Sequence, residues 1–548
     1  MRQRTHFLLQ LLGLIGLTAI AALLRFHNAS PYLPYPDAYQ TLLVAQNIRD
    51  TVHAVAPMGQ GGLVFPGTFA WTRPVMPLLT LGVSNTGLSL DQAARLVALV
   101  AGCLAVPMAY VTVRRLLSSP GAGLVAAGLV AINYGHTIYS GFALTETTGV
   151  LLQLVVLWLW ARQRSQPVEW ADPRDLLTGL ALGLAILTRY EYVVLLLPLW
   201  WWSASRGRGI RLANWTAPMA LLGTAAIVLI RPPGGLFSLA QAGRGFVPLA
   251  IAATLALGLI LVLRPLVKSL SVFTRQTLVV CTLALIAVVF VVIGLAPGRS
   301  GLHLFLTHDA LVVGLALFGL TFAALHSRYA WLVPFTIVAV GLLAGPYYLT
   351  NPGMERYFTH LLPLLLVPAA LGGYVLLTTP FRPVRRYALA LVLVVAVGLQ
   401  TRTAWTGLHN TGRGVWFEPG YEAVAAQQLK GIIPPDALII AALPEPYRYF
   451  LQQPTQSVAN RAPYLYFDAD QVPAMTIVVN DRAMQRLFPE FAAISDTRLR
   501  SFLLYEGSVG QRFRYKGLNE PEVKSVKVYK VPTRELQLLL TTDTNPRD

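Results

Sequence analysis

Ten carboxylates lie between residues 1 and 400, and Asp37, in the segment Pro36-Asp37-Ala38-Tyr39-Gln40, stands a few residues beyond the first apolar run. A carboxylate at the mouth of a helix is placed to take a proton from a hydroxyl. Glu146 opens a later apolar run, after Thr145. Arg73, Arg189 and Arg356, the last followed by Tyr357, occur singly at the ends of apolar runs. A planar guanidinium there suits an anion held by two parallel hydrogen bonds. Each residue also has a plainer reading. Glu146 can stabilise a helix start through the macrodipole, and the arginines can snorkel to headgroups or pair with an acid, as Arg189 with Glu191.

The elements that must position these residues are membrane helices. The chain of 548 residues is 55% hydrophobic and 12% charged, with a mean hydropathy of +0.55, which no ordinary soluble domain combines. The net charge of +18 comes from short clusters between apolar runs rather than one basic face, so topology explains it and a nucleic-acid partner is not expected. Apolar stretches long enough for a ~30 Å hydrocarbon core recur through the first 400 residues and predict about 13 spans. Arg2 and Arg4, Arg114 and Arg115, Arg162 to Arg174, Arg206 to Arg211, Arg264 to Arg275, Arg328, and Arg382 to Arg386 all fall on the side of the N-terminus. That side is therefore cytoplasmic, and the tail from 401 to 548 is extracytoplasmic. Arg2, Arg4 and the first apolar run with Ala19-Ile20-Ala21 also resemble a signal peptide, but the charge alternation needs this span and retention is expected. Cys103 and Cys281 both sit inside predicted spans, so neither a disulfide framework nor a cysteine metal site is indicated.

The first outer loop, 25 to 91, is long. Ala38 to Ile48 is amphipathic and suited to lying along the interface, and Val75 to Leu81 is apolar but too short to span. Beyond 401 the pattern changes to helical periodicity over Tyr421 to Ile432, short buried strands at Ala437 to Ala442 and Met475 to Val479, and an edge strand at Val526 to Val531. No phosphate loop, zinc spacing or Ser/His/Asp signature appears in this tail, which reads as a cap or acceptor-positioning domain.

The motifs of the first 400 residues resemble the GT-C glycosyltransferases, in particular the branch of protein O-mannosyltransferases and bacterial aminoarabinose transferases of lipid A. Asp37-Ala38-Tyr39 with Ala45 is similar to the Asp-Glu-x-Tyr-x-x-x-x-Ala signature after the first helix, with Ala38 where relatives carry a second acid. Thr72-Arg73-Pro74 with Pro77-Leu78, Ala94-Arg95-Leu96, Tyr139-Ser140 with Leu144-Thr145-Glu146, Gly183-Leu184-Ala185 with Thr188-Arg189, and Glu355-Arg356-Tyr357 with Pro363 follow in the family's order. The resemblance implies an α-helical polytopic GT-C domain over 1–400, loop 25–91 included, with a soluble α/β or α+β domain over 401–548. It implies a hexosyl- or pentosyltransferase of the cell envelope that uses a polyprenyl-phosphate-linked sugar donor. Transfer to a lipid, glycan or protein hydroxyl would be an inverting displacement on the outer face. Asp37 would be the base and Glu146 would orient the acceptor or Asp37. Arg356 with Tyr357, Arg73 and Arg189 would hold the donor phosphate.

The superfamily also admits a divalent cation between Asp37 and Glu146. No ligand spacing of a known metal site accompanies it, and His308-Asp309 is the most suggestive histidine pair. Aromatic residues including Tyr134 and Tyr139 are candidates to stack on a sugar. A transporter or flippase of a lipid-linked sugar is the main alternative. It lacks support in the absence of two similar halves, and it has no need of a long outer loop and a soluble tail. A non-catalytic scaffold would leave Asp37, Glu146 and Arg356 without a reason to gather on one side.

Overall fold

The computed structural model describes residues 2–29, 36–51, 73–163, 172–196, 198–199, 214–216, 218–219, 221–223, 301–350, 355–379, 383–406, 421–453, 455–458, 473–509 and 524–541. The spans predicted near 246–263 and 276–296, and most of that near 212–230, lie outside them.

The apolar runs form helices: α1 (Arg2–Asn28), α2 (Pro36–Thr51), α3 (Val75–Ser84), α4 (Leu90–Leu117), α5 (Pro120–Ile132), α6 (Tyr134–Tyr139), α7 (Thr145–Gln163) and α8 (Pro173–Thr188). After the undescribed stretch come α9 (Gly301–His308), α10 (Ala310–Leu325), α11 (Leu332–Thr350), α12 (Leu362–Thr378) and α13 (Pro383–Thr406). Among the described residues, Thr5–Asn28, Leu90–Leu117 and Arg356–Thr378 are long and apolar enough to cross a membrane. Phe7, Leu8 and Leu12 on α1 and Leu391, Val392 and Val394 on α13 are exposed, which water would penalise and lipid does not. Where helices meet, small residues permit close approach. A Cβ on Gly319 of α10 would lie 1.8 Å from the carbonyl oxygen of Pro368 in α12.

The sequence predicts one span over 120 to 139; the structure breaks it at Asn133. Asn133 is extended, its side chain accepts from the His136 backbone N–H at 2.8 Å, and it donates to Asp309 at 2.7 Å. Buried Arg25 of α1 donates to the last carbonyls of α5, Val130 at 3.0 Å and Ala131 at 3.3 Å, and contacts His136 Nδ1 at 2.7 Å. A cation at a helix C-terminus satisfies both its carbonyls and its dipole, so the break is held by polar partners. Asp309 serves this network; it also accepts from the Tyr134 N–H at 3.2 Å. Tyr134 and Tyr139 are buried and pack with Ile138 and Phe142 against Ala38, Tyr39 and Leu42. They support α2 and are not a sugar platform.

The amphipathic first-loop segment forms α2, but it does not lie free on the interface. Ala38, Tyr39, Leu42, Leu43, Val44, Ala45 and Ile48 are all buried. The helix is enclosed by α3, α4 and the C-terminal unit, since its apolar side chains cover more than the single stripe an interfacial helix needs.

That unit contains α14 (Tyr421–Leu429), β1 (Ala437–Ala441), α15 (Pro444–Leu451), β2 (Thr455–Ser457), β3 (Met475–Asn480), α16 (Arg482–Leu487), α17 (Pro489–Arg498), β4 (Leu503–Val509), β5 (Lys524–Pro532) and α18 (Thr533–Thr541). The sheet order is β2-β1-β3-β5-β4; β1 is parallel to β2 and β3, and β5 antiparallel to β3 and β4. On β1, Leu438 and Ile440 join one core, while Ala437, Ile439 and Ala441 join the other. A strand buried on both faces reads as a continuous apolar run. The expected edge strand at 526–531 is interior: Val526 and Val528 pack on one face, Tyr529 and Val531 on the other. Its lysines mimic an edge, but Lys527 is held by Asp496 at 3.1 Å.

α15 rests on α2. Tyr39 meets Tyr449 and Phe450 at ring-centroid distances of 5.7 and 5.8 Å. Gln40 Nε2 donates to Glu445 Oε1 at 2.9 Å, and Gln46 Nε2 to Gln452 Oε1 at 2.9 Å. The helix carrying Asp37 is thus positioned by membrane helices on one side and by the sheet unit on the other.

Candidate active site

The six residues singled out by type and spacing come to one place, each from the end of an element. Asp37 is in the first turn of α2, Arg73 lies just before α3, Thr145 and Glu146 start α7, and Arg189 follows the last residue of α8. Arg356 and Tyr357 belong to a 3-10 turn, Glu355–Leu361, ahead of α12. Helix ends are where polar side chains find unsatisfied backbone groups and one another in an otherwise apolar body.

Arg356 Nη2 donates to Asp37 Oδ2 and, at 3.2 Å, to the Tyr357 hydroxyl. The Arg356 side chain is buried, whereas that of Asp37 retains 47% of its exposure. A buried cation thus faces a carboxylate that the outside can reach. Burial pushes the Asp37 carboxyl up, but the Arg356 guanidinium, aided by Arg73 and Arg189, outweighs it and holds the carboxyl below its usual range. The Tyr357 ring lies between two guanidiniums, 5.0 Å from that of Arg356 and 5.3 Å from that of Arg189, a cation–π geometry.

Arg189 Nη1 donates to Glu146 Oε1 at 3.0 Å and Nη2 to Glu191 Oε1 at 3.4 Å, and both Glu146 and Arg189 are buried. Arg73 reaches the same two elements, through Thr145 Oγ1 and Glu191 Oε1, each at 3.4 Å. Three guanidiniums and three carboxylates therefore form a connected, charge-balanced cluster. Such a buried pair is costly to break from one side, because the remaining charge is left uncompensated. Glu146 meets Arg189 rather than Asp37. Arg189 and Arg73 are both engaged by carboxylates, and Arg356 is the guanidinium that faces Asp37.

Glu146 and Asp37 each face a guanidinium, and among the described residues no three His, Cys, Asp or Glu side chains gather to hold a metal. His308 packs on Tyr134, with centroids 4.1 Å apart, and Asp309 belongs to the helix break.

Two further groups lie close to these residues. Tyr192 Oη and His360 Nδ1 are 2.5 Å apart and both buried, Tyr192 on a 3-10 turn, Tyr190–Leu195, that follows Arg189, and His360 on Glu355–Leu361. Glu445 comes from the C-terminal unit, and nothing in its Pro-Glu-Pro context marks it as part of a membrane-face site. Burial pushes its carboxyl up; the Gln40 hydrogen bond opposes this, and the charge of Asp37 adds to it.

Fold and site together define a class: a helical body with lipid-suited apolar helices and a sheet domain seated over a carboxylate and arginine cluster. Residues 74–234 match the family described as dolichyl-phosphate-mannose-protein mannosyltransferase. The match begins one residue after Arg73 and includes Glu146 and Arg189. The fold is shared with the oligosaccharyltransferase AglB of the archaeon Archaeoglobus fulgidus in complex with an inhibitory peptide and a dolichol-phosphate. The TM-score is 0.57 at 13% identity, over 89% of this chain and 71% of that one. An oligosaccharyltransferase of Archaeoglobus fulgidus tethered with an acceptor peptide gives a TM-score of 0.58 at 13% identity, over 88% and 70%. At that identity the likeness is one of fold. No curated protein sequence matches the chain. The resemblance to GT-C glycosyltransferases read from the motifs thus recurs in a family match and in the architecture.

Proposed function

We propose that the chain is an integral-membrane glycosyltransferase that moves a sugar from a polyprenyl-phosphate donor to an acceptor hydroxyl on the extracytoplasmic face. The observation that carries this reading is the pairing of a half-exposed carboxylate, Asp37, with a buried guanidinium, Arg356, backed by Arg73 and Arg189. The catalytic body spans 1–400 with about 13 membrane helices, and the unit from 401 to 548 sits outside.

In the reaction the acceptor oxygen attacks the anomeric carbon from the face opposite the phosphate. The bond from that carbon to the phosphate oxygen breaks, the electron pair leaves with polyprenyl phosphate, and the hydroxyl proton passes to Asp37. The configuration at the anomeric carbon inverts. Arg356 stabilises the charge that develops on the departing phosphate, and Tyr357 fixes its guanidinium plane by stacking. Arg189, with Arg73, supplies positive potential from behind and is held by Glu146 and Glu191.

The pairing also gives an order of events. Before the donor arrives, Arg356 is spent on Asp37 and keeps it a weak base. A phosphate that shares the guanidinium loosens this hold, and Asp37 becomes more basic when a substrate is there to receive. The archaeal relative of this fold carries a dolichol-phosphate in its structure, which supports a lipid-phosphate donor here.

Purified protein in detergent, supplied with a polyprenyl-phosphate sugar, should release polyprenyl phosphate by transfer or slow hydrolysis. Intact donor after prolonged incubation, with movement of donor between leaflets in reconstituted vesicles, would establish a flippase instead.

A further inference from the structure

Two short 3-10 turns carry two of the arginines of the cluster. Tyr190–Leu195 follows directly on Arg189 and includes Glu191, while Glu355–Leu361 has Arg356 and Tyr357 near its start and His360 near its end. A 3-10 turn holds its own shape weakly, because its hydrogen bonds are poorer than those of an α-helix. These two turns are tied together. Tyr192 Oη and His360 Nδ1 meet at 2.5 Å, and the rings stand edge to face, with centroids 5.4 Å apart and planes at 74°. Gln153 of α7 adds a third member, since its Nε2 donates to the His360 carbonyl oxygen at 3.3 Å.

All three side chains are buried. Around them the same turns place Val194, Leu195, Phe358 and Leu361 in the main hydrophobic core. The sequence of α7 is arranged for the contact. Glu146, Gly149 and Gln153 recur at i, i+3 and i+7, so they share one face of the helix. That face meets Arg189 through Glu146 and His360 through Gln153. Between them, a Cβ on Gly149 would lie 2.3 Å from Tyr192 Oη, so the hydroxyl reaches His360 past a residue that has no side chain.

Packing alone does not call for this arrangement. An apolar pair of the same shape would fill the core at little cost, whereas a connected polar network fixes one geometry. Polar side chains among membrane helices are also rare enough to mark function. Proton transfer is not needed of them, because a departing phosphate is a weak base that leaves without a proton. What the contacts fix is spacing. The Tyr357 ring lies between the guanidiniums of Arg356 and Arg189, at 5.0 and 5.3 Å. The Tyr192–His360 contact joins the same two turns further along, so they are held at two points.

We propose that Tyr192, His360 and Gln153 are positioning residues: they brace the turn of Arg356 against the turn of Arg189, so that the Arg356 guanidinium meets a lipid-linked phosphate in one orientation. The three act through Arg356 and do not touch the substrate. The proposal rests on the glycosyltransferase reading above and deepens it by saying what orients its phosphate ligand.

The test uses the full-length protein in detergent, with polyprenyl-phosphate mannose and polyprenyl-phosphate arabinose as donors and release of polyprenyl phosphate as the readout. Tyr192→Phe removes one hydroxyl and keeps the ring. Gly149→Ala displaces that hydroxyl from the side of α7, and repeats the test should the phenylalanine variant fold poorly. Each should lower kcat roughly tenfold, as the loss of one buried hydrogen bond and a small misplacement of a phosphate ligand predict. Combination with Arg356→Lys separates positioning from stability. Lysine has no planar fork to orient, so in that background Tyr192→Phe should cost about twofold or less, a non-additivity expected of residues that act as a unit. An equal loss in both backgrounds would show that the hydroxyl serves the fold, and would overturn the proposal. Wild-type kcat in both folded single variants would overturn it as well. A wild-type protein that turns over neither donor would count against the glycosyltransferase reading without deciding the brace, which is then read from binding of polyprenyl phosphate alone. Affinity roughly tenfold weaker in Tyr192→Phe, with no such loss in the Arg356→Lys background, would keep the brace. Affinity unchanged by Tyr192→Phe and by Gly149→Ala, or weakened equally in both backgrounds, would overturn it.

Discussion

Asp37 is exposed enough to meet a substrate yet bound by the one guanidinium that faces it, and its chemistry should show both facts. Asp37→Asn keeps size and most hydrogen bonding but cannot take a proton, so turnover should fall at least ~100-fold while the protein still inserts and binds donor. Most of the activity surviving in a folded variant would end the assignment. The order of events proposed above has a pH signature. The acid limb of kcat/KM reports the free enzyme and that of kcat the complex. Arg356 depresses the carboxyl in the free enzyme, so Asp37 stays ionised to lower pH there, and the kcat limb should lie at higher pH than the kcat/KM limb. Coincident limbs would mean that donor binding does not loosen the pair. For Arg356 itself, lysine keeps the charge and loses the planar fork, and alanine loses both. Activity should rank wild type, lysine, alanine, with the alanine variant losing roughly 2 to 4 kcal/mol of transition-state stabilisation. A fully active Arg356→Lys alongside an inactive Arg73→Ala would move the phosphate to Arg73.

Among the elements, α14 carries a feature that ties the C-terminal unit to pH. Its Glu422 is buried, and burial, with the charge of Asp481, pushes its carboxyl from 4.5 up to about 8. Asp481 is raised as well, by burial, against hydrogen bonds from the Met484 N–H and the Tyr447 hydroxyl, the latter at 2.7 Å. A carboxyl that binds its proton more tightly when folded contributes stability that is full below its unfolded value and is lost as pH rises through its folded value. The heat-unfolding midpoint should therefore fall between pH 5 and pH 8.5, and Glu422→Gln should flatten that fall. An equally steep decline in the glutamine variant would assign the effect to another group. The helix break at Asn133 belongs to this scale too. It was missed because thirteen apolar residues followed by Asn-Tyr-Gly-His read as one span. The arginine and aspartate that stabilise the break come from α1 and from the segment before α10, positions that local periodicity does not connect.

For the whole molecule, the side of the membrane decides whether the sheet unit can cover the site. A reporter fused after Asp548 should lie outside the cytoplasm and one after Arg386 within it, because the basic clusters fall on the side of Arg386. Both reporters on one side would break the proposed arrangement of Asp37 beneath α15.

Some of this architecture is written in local composition. Apolar length specifies helices in lipid whatever their neighbours, and β1 and β3 announce themselves as apolar runs between prolines. The site residues were legible for the same reason: a charged side chain in an apolar context is rare enough to stand out. Tertiary structure alone decided their pairing, since Arg356 and Asp37 are separated by most of the helical body and any of three arginines could have met the base. It alone decided that α2 is enclosed, that β5 is interior and that Glu445 reaches the helix of Asp37. Those outcomes depend on which surfaces dock together, and docking is set by shape and burial summed over distant segments, which no single segment encodes.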